Sequence, residues 1–158
     1  MKITATHGEI QNRKDEALVI NLFQGTKRPG GSTGAVDKAL GGLIRRAITD
    51  GDFVGKRNEI LLLYTHGKIS TSRVLVVGLG EQKAFDIEAA RQAAGTAARK
   101  LQNLGIKSAS TILHGAGSAG LDVEISAEAT AEASMLACYA FNHYRTTKDK
   151  TARLQTLT

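Results

Sequence analysis

The sequence predicts an α/β domain in which helices flank a mixed β-sheet, and three observations support this class. Three apolar runs, at residues 17–23, 60–64 and 73–79, have the composition of buried strands. The apolar residues of segment 86–104 recur every three or four positions, which is typical of a helix. Only residues 65–72 connect the second and third runs, whereas a parallel pair needs about a dozen residues or more. We therefore expect these two strands to be antiparallel neighbours.

The first half of the chain is expected to place one helix between strands. Residues 2–6 alternate in polarity and predict a short strand, and residues 24–34 form a loop that holds the only proline. The apolar spacing within 36–48 predicts a helix. Gly41 and Gly42 lie inside that helix, and each is expected to weaken it by about 1 kcal/mol.

The second half contains the clearest helix, at residues 86–104. Asp86 is a good N-cap, and Gly105 lies where a left-handed C-terminal cap belongs. Its apolar stripe is mostly alanine, so we expect the helix to lie close to the sheet. Residues 107–113 return as a strand, which makes 73–113 a strand–helix–strand unit with a right-handed crossover.

The last predicted helix covers residues 126–144, with Ser126 as its cap. Its predicted buried face comprises Ala129, Ala133, Leu136, Ala137, Ala140, Phe141 and Tyr144. Beyond Arg145 the chain is polar, basic and without periodicity, which predicts a linker or a frayed tail. We therefore divide the chain into a folded domain at 1–145 and the start of a linker at 146–158.

The chain is basic, with 21 Lys and Arg against 15 Asp and Glu, a net charge of +6. The basic residues are spread along the sequence, and they are densest after Arg145, so a solvated surface is the favoured interpretation. DNA binding is the alternative. Aromatic residues make up only 4% of the chain and Trp is absent, which disfavours a platform for stacked bases or sugars.

A single cysteine, Cys138, excludes an intramolecular disulfide framework, and its neighbours predict a small side chain packed in a helix. No run of apolar residues is long enough to span a membrane. The first residues lack the apolar core of a signal peptide. We expect a reducing, intracellular compartment and no membrane partner.

Two glycine motifs follow predicted strands. Gly78-Leu79-Gly80 lacks the third glycine of a dinucleotide fingerprint, because position 83 is Lys83. Residues 115–120 do match G-x-G-x-x-G, but the second strand that the fingerprint requires does not follow. Turn glycines are the favoured interpretation. A loop whose backbone N–H groups hold a phosphate-bearing ligand is the alternative.

No familiar catalytic or metal-binding pattern is present. The four histidines, at positions 7, 66, 114 and 143, have no ligand spacing, and they are expected at the surface or in turns. A functional role is the alternative for His66 and His114, which lie at strand ends. Carboxylates cluster in the first turns of helices, where the helix dipole favours them. We therefore assign no catalytic, cofactor-binding or metal-binding residue.

Several stretches, in order across residues 1–150, resemble the N-terminal domain of the leucyl (cytosol) aminopeptidase family. They are residues 17–20, 51–56 with Glu59, 61–63, 73–80, 91–95 and 140–145 with the lysines that follow. The Gly-Asp-Phe-x-Gly-Lys and Arg-Val-Leu-Val-Val-Gly-Leu-Gly elements are fairly specific together. Asn142-His143 replaces the acidic-basic pair that the family usually has before the tyrosine.

This resemblance implies a macro-domain-like, three-layer α/β/α fold. Members of the family are cytoplasmic homohexamers that remove N-terminal residues, leucine among the best, from peptides. They use two divalent metals (zinc, manganese or magnesium) in a C-terminal catalytic domain, whose Asn-Thr-Asp-Ala-Glu-Gly-Arg signature these 158 residues lack. The N-terminal domain lies at the periphery of the hexamer and helps to join trimers. The resemblance therefore implies a non-catalytic assembly domain, with its own catalytic domain and other subunits as partners. An ADP-ribose or nucleotide site, by analogy with macro domains, is a further alternative.

Overall fold

The computed structural model describes residues 1–116, 120–139 and 153–158. Within these ranges, six strands form one sheet and four α-helices cover it. The strands are β1 (Lys2–Ile3), β2 (Ala17–Leu22), β3 (Ile60–Tyr64), β4 (Arg73–Gly78), β5 (Ser108–Thr111) and β6 (Thr156–Leu157). The helices are α1 (Gly31–Ala39), α2 (Leu43–Asp50), α3 (Ile87–Asn103) and α4 (Val123–Ala137), with short 3₁₀ turns at Ile10–Asn12 and Gln82–Ala84.

The sheet has the order β1-β6-β5-β2-β4-β3 and is mixed, as predicted. β3 runs antiparallel to β4, whereas the other neighbouring strands are parallel. The short 65–72 connection thus correctly predicted an antiparallel hairpin. β4 and β5 lie on opposite sides of β2, so the connection through α3 crosses over β2. The right-handed sense of that crossover stays a prediction.

Helices pack against both faces of the sheet and give the three-layer arrangement. Side chains alternate across each strand, so Val19 belongs to one core and Leu18 to the other. The Val19 face packs against the alanine stripe of α3, all of it buried, and the Leu18 face packs against α1 and α2. The small alanines let α3 lie close to the strands, as its sequence predicted.

One helix predicted at 36–48 is in fact two. Gly41 and Gly42 have φ angles of +71° and +83°, a left-handed backbone that breaks the helix and that glycine adopts without strain. The carboxylate of Asp37 accepts hydrogen bonds from the amides of Ile44 (2.9 Å) and Arg45 (3.1 Å). This buried side chain therefore caps the second helix from the end of the first.

The prediction of a linker or frayed tail is wrong for residues 153–158. Thr156 and Leu157 form β6, which lies between β1 and β5 and pairs with both. Leu154 and Leu157 are buried in the core that contains α3. Polar composition misled the prediction, because only two apolar side chains anchor this segment. Residues 140–152 lie outside the described ranges, and the boundary between domain and linker stays a prediction.

Helix α4 also differs from its prediction. Its N-cap is Asp122, whose carboxylate accepts a hydrogen bond from the amide of Glu124 at 2.8 Å. Ser126 is instead an internal residue of the helix, and it is buried. Of the predicted buried face, Ala129 is buried but Leu136 is 68% exposed. The predicted positions Ala140, Phe141 and Tyr144 lie outside the described residues. The inner face of α4 carries small polar side chains, namely Ser126, Thr130 and Ser134.

Close packing of α4 on α3 explains why small polar residues of α4 are buried while its large apolar residues are exposed. A Cβ added at Gly95 of α3 would lie 3.6 Å from both the carbonyl oxygen of Ala133 and the Cβ of Ala137. At such a distance large apolar side chains do not fit between the two helices. Small residues fill the inner face, and the large apolar residues of α4 are left on its outer face.

Candidate functional site

A cleft of about 730 Å³ lies at the carboxyl ends of β2 and β5. From β2 the chain next adds β3 and β4 on one side of the strand, and it later adds β5 on the other. Open α/β sheets bind ligands in the crevice at such a divergence. The volume is also within the range of small-molecule sites. This cleft is therefore the first candidate for a binding site.

One wall of the cleft is the start of α1. Gly30 is the N-cap and supplies no side-chain hydrogen bond, so the first amides of the helix are not capped by it. Thr33 Oγ1 donates to the carbonyl oxygen of Asn21 at 2.7 Å, which ties this helix to β2. Exposed Lys27 and Arg28 lie in the loop just before it. Free amides at the positive end of a helix dipole favour an anion here.

The side of the cleft at β5 carries a charged pair. Arg13 Nε donates to Ser110 Oγ at 2.8 Å, and the Arg13 guanidinium lies 3.2 Å from the Asp15 carboxylate. The Ser110 hydroxyl in turn donates to the same carboxylate. Arg13 is therefore largely neutralised by Asp15, and its role in the cleft is to fix this wall.

His114 lies behind the cleft and is completely buried. Its Nδ1 lies 3.1 Å from the side-chain nitrogen of Asn21, a residue that lines the cleft. Burial lowers the pKa of His114 to about 4, so the ring is neutral at physiological pH. The prediction of a surface or turn histidine is confirmed for the turn, since His114 lies in one, but the sequence gave no sign of the burial.

The glycine motif at 115–120 begins with a turn glycine. Gly115 has φ +81°, and a Cβ there would lie 2.1 Å from the ring of Phe85. Gly120 also has a positive φ, of +70°. Ala116 borders the cleft, and residues 117–119 lie outside the described ranges. Gly115 is thus a turn glycine, as predicted, whereas a turn at Gly120 and the phosphate-binding alternative stay predictions.

The two specific sequence elements of the resemblance meet at the end of β4. A Cβ at Gly78 would lie only 2.0 Å from the carbonyl oxygen of Lys56, so no side chain fits there. The Glu59 carboxylate accepts from the amides of Lys56 (2.9 Å) and Val54 (3.2 Å), and Phe53 is buried. These residues fold the 51–59 loop onto the sheet, which is a structural role.

Within the described part of the chain, the remaining residues singled out by sequence come together in no second site. His7 and His66 are exposed, and His143 lies outside the described residues. Cys138 is half-buried at the end of α4, and burial raises the pKa of its thiol. Among the described residues, no three His, Cys, Asp or Glu side chains come together as metal ligands. Nor does any helix there have the length and apolarity to cross a membrane.

A surface is the second candidate feature. We define the outer face of α4 by its large apolar residues, each of which is at least half exposed. These residues are Ile125 (51%), Met135 (54%), Leu136 (68%) and Tyr139 (75%). Large apolar side chains that are exposed along a helix and, at Tyr139, just beyond its end are typical of an interaction surface.

The three-layer α/β/α arrangement is similar to that of macrodomains. The chain superimposes on a Trypanosoma brucei macrodomain solved with ADP-ribose, with a TM-score of 0.72 and 17% identity over 98% of this chain and 62% of that one. It also superimposes on a mutant of tomato leucine aminopeptidase, with a TM-score of 0.80 and 22% identity over 99% of this chain and 32% of that one. At these identities the likeness concerns the fold alone.

Sequence comparison places the domain in a family. The family model for the N-terminal domain of the cytosol aminopeptidase family matches residues 19–148. A probable cytosol aminopeptidase of Geotalea uraniireducens is 37% identical over 123 residues, which are 78% of this chain and 24% of that protein. One of Alkaliphilus metalliredigens is 29% identical over 93% of this chain and 29% of that protein. The chain belongs to the cytosol aminopeptidase family and corresponds to its N-terminal domain. It matches 24–29% of the length of these relatives.

Proposed function

We propose that this chain is the non-catalytic N-terminal domain of a larger cytoplasmic aminopeptidase, and that it serves the assembly of a homohexamer. The parent enzyme would remove N-terminal residues from peptides. The observation that carries the assembly role is the outer face of α4, where large apolar side chains face solvent while small polar ones face the core. Covering this face with another part of the assembly would remove apolar surface from water.

The metals of the proposed reaction belong to the catalytic domain. The described residues bring together no set of ligands for a two-metal centre, so they do not fit zinc or manganese. No step of peptide hydrolysis is therefore derived for this chain. Pure chain should not hydrolyse leucine p-nitroanilide with added manganese, and a rate above the buffer background would contradict the proposal.

The assembly role is tested by the subunit number of the full-length protein, measured by native mass spectrometry. Leu136→Glu places a charge on the outer face of α4, and we expect it to break the hexamer into smaller species. Tyr64→Glu is the matched control, because Tyr64 is 52% exposed on the edge strand β3. The 158-residue chain with Leu136→Glu should keep its melting temperature. An intact hexamer in a Leu136→Glu, Tyr139→Glu double variant would contradict the proposal.

A second candidate function is the binding of ADP-ribose or a related nucleotide in the cleft. It is favoured by the position of the cleft beside the uncapped first turn of α1, together with the fold shared with an ADP-ribose-bound macrodomain. Ligand at 100 times its dissociation constant would stabilise the chain by about 2.7 kcal/mol. DNA binding stays an expectation from the net charge, and salt-sensitive binding would be its sign.

Gly30→Leu gives this candidate a sharp test. Gly30 lines the cleft, and a Cβ there meets no atom within 4 Å, so a larger side chain can be added at this wall without a clash at Cβ. We expect ADP-ribose to raise the melting temperature of the unmodified chain and of a Gln24→Leu control, but not that of Gly30→Leu. Equal shifts in all three variants, or no shift in any, would contradict binding in the cleft.

A further inference from the structure

With the Asn21 amide oriented as in this structure, the hydrogen bond between Asn21 and His114 determines the tautomer of the histidine. The atom that faces Nδ1 is the amide nitrogen of Asn21, which can only donate. Nδ1 therefore accepts, and the proton of the neutral ring is on Nε2. The lowered pKa of His114 agrees with a ring that stays neutral.

Nε2 is then a buried donor. His114 is 1% exposed, and its Nε2 has no hydrogen-bond partner among the described protein atoms. Buried polar atoms in proteins nearly always have a partner, either a protein group or an ordered water. The ring therefore requires an acceptor next to Nε2.

A small cavity lies next to His114, between the sheet, α3 and α4. The space open to the centre of a water molecule is about 10 Å³, which is close to the minimum that holds one water. The cavity is mostly apolar, but the side chains of Thr130 and Ser134 from α4 also line it. Thr130 Oγ1 donates to the Ser126 carbonyl oxygen at 2.7 Å, so its lone pairs remain available to accept.

We propose that this cavity is a binding site for one buried water, which accepts from His114 Nε2 and donates to the hydroxyl oxygen of Thr130. A water in a polar cavity needs two to four partners, and Ser134 supplies a further one. The water joins the start of the glycine motif to α4. It also gives the inner face of α4 a second reason to carry hydroxyl groups, in addition to the close packing on α3.

A crystal structure at high resolution and ¹⁵N NMR of labelled histidine test this site in the unmodified chain. We expect a water within hydrogen-bond distance of both Nε2 and Thr130 Oγ1, and an Nε2–H signal with a magnetisation-transfer peak to water. A direct hydrogen bond from Nε2 to a hydroxyl of α4, with no water in the cavity, would overturn the proposal. So would a proton on Nδ1.

Thr130→Val removes one partner of the water at nearly constant volume. We expect its Nε2–H signal to shift and the water to be lost or displaced. Thr49→Val is the matched control, because Thr49 Oγ1 makes the same bond to the carbonyl four residues earlier, but on the exposed side of α2. An unchanged Nε2–H signal in Thr130→Val would contradict the role of Thr130. Should this variant fail to fold, the two measurements on the unmodified chain still decide.

Discussion

The side-chain nitrogen of Asn21 lies 3.1 Å from Nδ1 of His114, and this contact joins β2 to the first residue before the glycine motif. Asn21 lines the cleft, whereas the ring of His114 lies completely behind it. The backbone carbonyl oxygen of Asn21 also accepts a hydrogen bond from the Thr33 hydroxyl of α1. Two residues that line the cleft, Asn21 and Thr33, are thus joined to His114 in one hydrogen-bonded chain, and His114 is its most deeply buried member.

Stability is predicted to fall as the pH falls from about 6.5 to about 4. Burial lowers the pKa of His114 from 6.5 to about 4, so between these values the unfolded chain binds a proton that the folded chain does not. The free energy of unfolding therefore decreases with decreasing pH across this window, by about 3 kcal/mol for this group. Urea unfolding at a series of pH values measures the effect.

The contribution of His114 to this pH dependence is obtained by comparing two variants with the unmodified chain. In His114→Gln we expect a weaker dependence on pH between 6.5 and 4, because the titrating group is gone. His7→Gln removes an exposed histidine and should keep the dependence of the unmodified chain. Parallel curves for all three proteins would contradict a buried, neutral His114.

Gly78→Ala is predicted to destabilise the domain by about 3 kcal/mol, which is the upper part of the usual range for overpacking. The new Cβ would lie 2.0 Å from the Lys56 carbonyl oxygen, and backbone atoms cannot easily move away. Thermal unfolding measures the loss. Gly30→Ala is the control, since its Cβ meets open space. Equal melting temperatures for the two variants would show that the 51–59 loop does not pack on β4 as described.

Two leucine substitutions, one in α3 and one in α4, test whether the large apolar residues of α4 are exposed. Leu101 of α3 is 1% exposed, and Leu101→Ala should lower the free energy of unfolding by about 2–5 kcal/mol. Leu136 is 68% exposed, so Leu136→Ala should change it by less than about 0.5 kcal/mol in the 158-residue chain. Denaturant unfolding of both variants is the measurement. A large loss in Leu136→Ala would mean that the outer face of α4 is in fact packed.

Residues 153–158 are predicted to belong to the folded domain. Leu157 is 3% exposed in β6, and Leu157→Ala should cost about 2–5 kcal/mol, whereas Gln155→Ala changes an exposed side chain and should cost little. A variant that ends at residue 152 should melt at a lower temperature and lose the protection of the β5 amides against hydrogen exchange. An undiminished melting temperature would restore the interpretation of this segment as a linker.

The sequence predicted those elements whose local pattern agrees with their tertiary environment. The apolar runs, the antiparallel hairpin and the alanine stripe of α3 are of this kind, and Asp86 caps α3 by accepting from Ala89 at 2.8 Å. Predictions failed where contacts between residues far apart in the sequence determine the local structure. β6 forms because β1 and β5 provide partners, and Leu136 is exposed because α3 is too close for a large side chain.

The candidate site was less predictable than the fold. The cleft is formed by residues from several separate segments, and no single motif indicates it. His114 was visible in the sequence only as a histidine after a strand. Its burial depends on α3 and α4, which pack around it from distant positions in the chain. The assignment of the glycine motif to turns is confirmed at Gly115, whose φ of +81° is one that glycine permits.

We propose above all that this chain is one domain of a longer aminopeptidase. The most direct measurement is the nucleotide sequence of the source gene downstream of the codon for Thr158. We predict that the reading frame continues into a catalytic domain that carries Asn-Thr-Asp-Ala-Glu-Gly-Arg. A stop codon directly after Thr158 would contradict the claim, and ligand binding in the cleft would then become the principal candidate function.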